Sequence, residues 1–174
     1  MSKNKENRRY ITGTILKPLD TVLPDQVKDH LINYIFKIDY REDHNIISGL
    51  IADALDELGF ETYLEHHVPY TLKVFGELTK IDGRIDLFAT NGSYTIACEV
   101  EGQRIPTKSL RKLIKIRNAL KLIVLRAYAA KKYTMPAPIG KVPNLMVLNL
   151  YTKQIDWPEL PQHRQTFKEE LVEG

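Results

Sequence analysis

Apolar residues along the chain keep two different rhythms. From Asn45 to Leu58 the positions Ile47, Leu50, Ile51, Ala54, Leu55 and Leu58 fall on one helical face, and Gly59 follows as a stop. Leu23 to Phe36 repeats the rhythm through Val27, Leu31 and Ile35, with Pro24 suited to a first turn. Beyond Gly59 the pattern changes. Strand-like sequence runs from Phe60 toward Tyr70, again from Lys73 to Leu78, then from Arg84 to Thr90 and from Tyr94 to Glu101. Pro106 breaks the chain before a helical stretch from Thr107 to Leu120. Short strands are expected at Leu122 to Arg126 and Leu145 to Tyr151, with a loop from Lys131 to Pro143 and a last helix from Phe167 to Val172. This order predicts an α/β fold in which helices flank a mixed sheet.

The dipeptide Asn91-Gly92 favours a two-residue hairpin turn. That turn would set Thr90 opposite Ser93, Asp86 opposite Ala97 and Arg84 opposite Glu99. Alternation then assigns Ile85, Leu87, Tyr94, Ile96, Cys98 and Val100 to a core face. Asp86, Glu99 and Glu101 share the other face, with Asp86 and Glu99 as diagonal neighbours about 7–8 Å apart at the backbone. Carboxylates held this close raise one another's proton affinity. A hard divalent cation relieves that conflict, with Asp86, Glu99, Glu101 and the Val100 carbonyl as candidate oxygen ligands.

Length and composition narrow the setting. The 174 residues suit one domain, here residues 10–174 after a loose polar stretch at residues 1–9. The single cysteine, Cys98, allows no intrachain disulfide and points to a reducing, cytoplasmic location. No apolar run is long enough for a bilayer, no phosphate-binding Gly-rich loop indicates ATP, and alternation sends His66 and His67 to opposite faces, against a joint zinc site.

Net charge is only +3, but its distribution is uneven. Between Gly102 and Ile155 there are twelve Lys or Arg and no Asp or Glu, whereas the remainder holds thirteen basic and twenty-two acidic residues. Such a split suggests a polyanion partner. Lys108, Arg111, Lys112 and Lys115 recur at helical spacing, and Gln103 and Arg104 lie close to the strand end. These six are the candidate nucleic-acid-binding residues, with Lys131, Lys132 and Lys141 as extensions of the footprint.

Gly83-Arg84-Ile85-Asp86-Leu87 followed by Cys98-Glu99-Val100-Glu101 resembles the PD-(D/E)XK nuclease superfamily, in the Glu-x-Glu form of BamHI-type restriction endonucleases. The resemblance spans about residues 45–125. It implies a restriction-endonuclease-like fold and phosphodiester hydrolysis with Mg²⁺, for which Mn²⁺ substitutes, leaving a 5′ phosphate. Asp86 and Glu99 match the two acidic ligands. Glu101 stands where lysine is usual, and a lysine from the next helix, Lys108 or Lys112, is the candidate replacement. An additional acid on the first core helix would be Glu57, with Glu42 and Glu77 as weaker rivals. The implied activity is a type II restriction-like cut of double-stranded DNA by a homodimer. The alternatives are a structure-specific nuclease such as a Holliday junction resolvase, a non-catalytic DNA-binding protein on a nuclease fold, and an RNA nuclease.

Overall fold

The computed structural model describes residues 23–126 and 137–158. The N-terminal stretch at residues 1–9, Lys131 and Lys132, and the helix expected at Phe167 to Val172 lie outside the described residues. The fold is α/β, with helices on both faces of a mixed sheet, in a restriction-endonuclease-like order.

Two helices come first, α1 (Asp25–Phe36) and α2 (His44–Glu57). Strands β1 (Glu61–His67), β2 (Tyr70–Val74), β3 (Glu77–Ile81), β4 (Arg84–Thr90) and β5 (Thr95–Glu101) follow. Helix α3 (Thr107–Ile114) crosses to β6 (Leu120–Leu125), and a 3₁₀ turn (Ala137–Lys141) precedes β7 (Leu145–Asn149) and β8 (Gln154–Asp156). The main sheet runs β1-β4-β5-β6-β7-β8, and β2-β3 form a separate two-stranded ribbon. The β5–β6 and β6–β7 pairs are parallel; the other pairs are antiparallel.

The sheet separates two apolar clusters. Leu31, Ile35, Ile47, Ile51 and Leu55 of α1 and α2 pack with Leu87, Ile96, Cys98 and Val100. Leu110 and Leu113 of α3 pack on the other side with Ile85, Ala97, Ile123 and Leu125. Strands β6 and β7 are buried throughout, which explains their unbroken apolar runs.

Several expectations need correction. The helix after Pro106 stops at Ile114, and Asn118 adopts a left-handed φ of 52° before β6 begins at Leu120. The segment Lys73–Leu78 is not one strand. It turns back on itself at Phe75-Gly76, whose φ values of 50° and 84° fit a two-residue type I′ turn. Strand β7 ends at Asn149, whose side-chain oxygen accepts hydrogen bonds from the amides of Tyr151 and Thr152.

The Asn91-Gly92 turn also differs. Thr90 pairs with Thr95, so the loop holds four residues, not two. Asn91 Oδ1 accepts hydrogen bonds from the amides of Ser93 (3.0 Å) and Tyr94 (2.7 Å), and Gly92 takes a φ of 87°. The Asn side chain imitates a backbone turn and widens the loop. Register therefore moves by two residues, and Phe88, not Asp86, faces Ala97. A shift of two leaves face assignments intact, because side chains alternate with period two.

Candidate active site

The β4–β5 ladder is paired from Thr90↔Thr95 to Leu87↔Cys98 and then opens. Continuing its register sets Asp86 directly across from Glu99, where a diagonal relation was expected. Side chains replace the ladder there. The Val100 amide donates to Asp86 Oδ2 at 2.7 Å, and the Asp86 amide approaches Glu99 Oε2 at 3.4 Å. Alternation also breaks at this point. Leu87 belongs to the cluster under α1 and α2, whereas Ile85 belongs to the cluster under α3, although both were expected on one face. Against β1 the pairing passes from Leu64↔Leu87 to His66↔Ile85, and the intervening Glu65 has a φ of 54°. The strand thus turns at Asp86 and directs its carboxylate toward the end of the sheet.

That end holds a cavity of about 250 Å³ lined by His44, Asp86, Glu99, Val100, Glu101, Gly102, Lys108, Ser109, Lys112 and Arg126. Five segments supply it: the start of α2, the start of β4, the end of β5, the facing side of α3, and the residue that follows β6. Asp86 is mostly buried, and Glu99 retains 2% of its side-chain exposure. Lys112, 12% exposed, forms an ion pair with Glu99 Oε1 and donates to the Arg84 carbonyl at 2.6 Å. The contact to Oε1 is electrostatic, because that oxygen has no partner in hydrogen-bond geometry. Ser109 donates its hydroxyl to Glu101 Oε1 at 2.5 Å. Arg126 is tied in by its amide, which donates to the Glu101 carbonyl, and by Nε, which donates to the Tyr40 carbonyl.

Burial is the main electrostatic force in the site. It pushes the Glu99 carboxyl up to about 8, with Asp86 adding to the rise and Lys112 opposing it. Glu101 is also raised by burial, while the Ser109 hydrogen bond works against the rise. At His44, burial disfavours the charged ring, but the Asp86 charge and hydrogen bonds to Asn45 and Asp86 outweigh it, and its pKa is raised. His44 Nε2 stands 2.9 Å from Asp86 Oδ2. Cys98 is fully buried, and its thiol is pushed well up, which suits core packing rather than nucleophilic chemistry.

The cavity gathers five of the residues expected from sequence around a common space: Asp86, Glu99, Val100, Glu101 and Lys112, with Lys108 at the rim. Gln103, Arg104, Arg111 and Lys115 are exposed and lie outside the cavity lining. Glu57 is exposed at the far end of α2. The site sits at the N-terminal end of that helix, at His44, about 20 Å away along thirteen residues. Glu42 lies in the turn before α2, and Glu77 lies at the ribbon tip. Neither lines the cavity. His44, Ser109 and Arg126 were missed. His44 follows Asp43 at a helix start, a position legible in sequence, but nothing local connects it to Asp86.

The donor set suits a hard divalent cation: three carboxylates and a strand-end carbonyl, with one carboxylate desolvated. Their present partners are protein donors. Among the described residues, no three His, Cys, Asp or Glu side chains converge on one point at ligating distance. His44 and the Val100 amide occupy Asp86, Ser109 draws Glu101 aside, and the Lys112 ammonium neutralises Glu99. Cation binding therefore requires side-chain rotation and displacement of Lys112 from Glu99, within a cluster already arranged around one cavity.

No protein-family model and no curated protein matches this chain. One solved structure, the crystal structure of SSO0001, is 16% identical over 70% of this chain and 69% of its own, with a TM-score of 0.27. Overlap that low carries no argument about this chain. No helix among the described residues is long and apolar enough to cross a membrane.

Proposed function

We propose that the protein is a divalent-metal-dependent endonuclease that hydrolyses phosphodiester bonds in double-stranded DNA. The observation that carries this reading is the opened end of the β4–β5 ladder, where Asp86 and Glu99 face one another in a cavity beside Glu101 and Lys112. A hairpin built for stability alone gains nothing from burying these like charges.

Asp86, Glu99 and the Val100 carbonyl would hold Mg²⁺, with Glu101 as a further ligand or as the acceptor of the water proton. The cation would lower the pKa of bound water and neutralise charge on the scissile phosphate. Lys112 fills the place left by the lysine absent at Glu101. Its ammonium reaches the site from α3 and, once Glu99 binds metal, is positioned to contact a phosphate oxygen. Lys108 lies one helical turn before Lys112 on the same face and extends the positive rim. The exposed Arg111 and Lys115 would contact phosphates farther along the duplex. Cutting both strands calls for two such sites, hence a homodimer.

Supercoiled plasmid, cruciform plasmid and a four-way junction, each incubated with EDTA, Mg²⁺ or Mn²⁺, test the reading. Metal-dependent cleavage is expected, with loss of at least 100-fold in Asp86→Ala and retention of DNA binding. Discrete fragments of ordinary plasmid indicate restriction-like cutting, and cleavage confined to branched DNA indicates a resolvase. Binding without cleavage under every metal leaves a DNA-binding protein on a nuclease fold.

A further inference from the structure

Strands β1 and β4 do not end where the sheet ends. Their register runs from Glu61↔Thr90 to His67↔Arg84, and β2–β3 continues it without a slip from Tyr70↔Ile81 to Val74↔Glu77. One long hairpin thus leaves the sheet at an elbow made by Val68-Pro69 and Asp82-Gly83. The Val68 amide still donates to the Gly83 carbonyl at 2.7 Å. Pro69 has no amide hydrogen to continue the ladder.

The elbow is built for close packing. A Cβ at Gly83 would lie 2.6 Å from the Val68 carbonyl oxygen and 2.9 Å from the Tyr70 ring. Gly83 lets the buried Tyr70 ring lie directly on the backbone, which fixes the base of the ribbon three residues before Asp86. Beyond that point the ribbon is open to solvent. Leu78 is 80% exposed, and Phe75 at the tip is fully exposed. Thr71, Lys73, Leu78 and Lys80 share one face with no acidic residue among them, and all four are exposed. Asp82, at the elbow, is held 2.7 Å from His67. A two-stranded ribbon is marginally stable alone, and an aromatic residue in a positive-φ turn position adds a cost.

We propose that this ribbon is a DNA-gripping element, lying along the duplex that flanks the cut, with Lys73 and Lys80 on phosphates and Phe75 against a base step at its far end. The inference rests on the nuclease reading for its placement beside Asp86. A two-stranded ribbon fits the width of a DNA groove. From Pro69 to Phe75 it extends about 20 Å, or roughly six base pairs from the elbow. Lys73 and Lys80, each opposite an uncharged residue (Leu78 and Thr71) on one exposed face, favour a polyanion over a second copy of this chain.

Fluorescence anisotropy of the full chain on a 30-base-pair duplex in EDTA, repeated over a salt series, reads the ribbon without requiring turnover. Lys73→Ala/Lys80→Ala should weaken binding about tenfold near 0.1 M salt and reduce the log K against log salt slope by about 1.8, roughly 0.9 for each lost phosphate contact. Phe75→Ala should weaken binding about fivefold with the slope unchanged. Circular dichroism melting of each variant confirms folding. An unchanged slope in the double lysine variant overturns the proposal, as does a parent dimer that dissociates in Phe75→Ala, which would make the ribbon an interface between copies. Cleavage lost in Asp86→Ala beside a normal slope in the lysine variant sinks the ribbon alone. The reduced slope in a protein that cleaves nothing sinks the nuclease reading alone. A parent that binds no DNA sinks both.

Discussion

Strands β4 and β5 are joined by Asn91–Tyr94 in the middle of the sheet, and β2 and β3 are joined by Phe75-Gly76 away from it. Asn-Gly is the sequence of a two-residue turn, yet it opens a four-residue loop. Phe-Gly lacks that signature, yet it makes the two-residue turn. In the first hairpin, Leu87, Ala89, Ile96 and Cys98 are buried in the core, and this packing, with the Asn91 side-chain bonds, decides which residues face one another. In the second no comparable core exists, and the register is inherited from β1–β4 through the elbow. Register is a tertiary property in one hairpin and a borrowed one in the other.

The largest expected effect separates them by stability. Leu87→Ala removes a fully buried side chain from the main cluster and should cost about 3 kcal/mol in urea unfolding. Leu72→Ala, on the partly exposed ribbon, should cost under about 1 kcal/mol. Equal losses would mean that the ribbon is part of the cooperative core, and the contrast between the hairpins would fail.

Acidity provides a second contrast, because of these two hairpins it is β4–β5 that buries a carboxylate, Glu99. Glu99 binds its proton more tightly when folded, with its carboxyl pushed up to about 8 against an ordinary 4.5. The folded state therefore holds more protons than the unfolded chain between these values, and stability must fall as pH rises through that window. His44 adds to the loss with the same sign, since its folded pKa is also raised. In EDTA the unfolding free energy should decline from pH 5 to pH 8 by a few kcal/mol, and Glu99→Gln should flatten most of that decline. Millimolar Mg²⁺ should restore stability at pH 8 in the parent and not in Glu99→Gln. A parent profile as flat as that of the variant would remove burial of Glu99 as the controlling feature.

These features also show what local sequence can specify. Asp86, Glu99 and Glu101 were legible because two strands joined by a short turn must carry them to one end, and a register error of two residues preserves their common face. The local break at Asp86 was not legible, since it depends on Ile85 changing sides to pack under α3. Glu57 lies on the right helix, but only the approach of α2 to the sheet reveals that the N-terminal end of the helix meets the site. His44 comes from that end, and Arg126 from the end of β6. Both are brought in by tertiary contacts with no sequence period to announce them. Lys112 was accessible as one of two helix lysines, and the short α3 selected it by setting its ammonium against Glu99.

The smallest effect concerns the residue that least suits its own turn. Phe75 holds a φ of 50°, a conformation that costs an aromatic residue and that Asn tolerates. Phe75→Asn would create the Asn-Gly pair that the ribbon geometry prefers. It should stabilise the ribbon by about 0.5–1 kcal/mol, seen as slower amide exchange in β2 and β3 with little change in global unfolding. Since Phe75 is fully exposed, no packing is lost in that exchange. A stabilised ribbon that grips DNA less well would show that the aromatic tip is retained for contact rather than for folding. Faster exchange in the variant would mean that Phe75 stabilises the turn despite its exposure, and the apparent misfit between residue and turn would disappear.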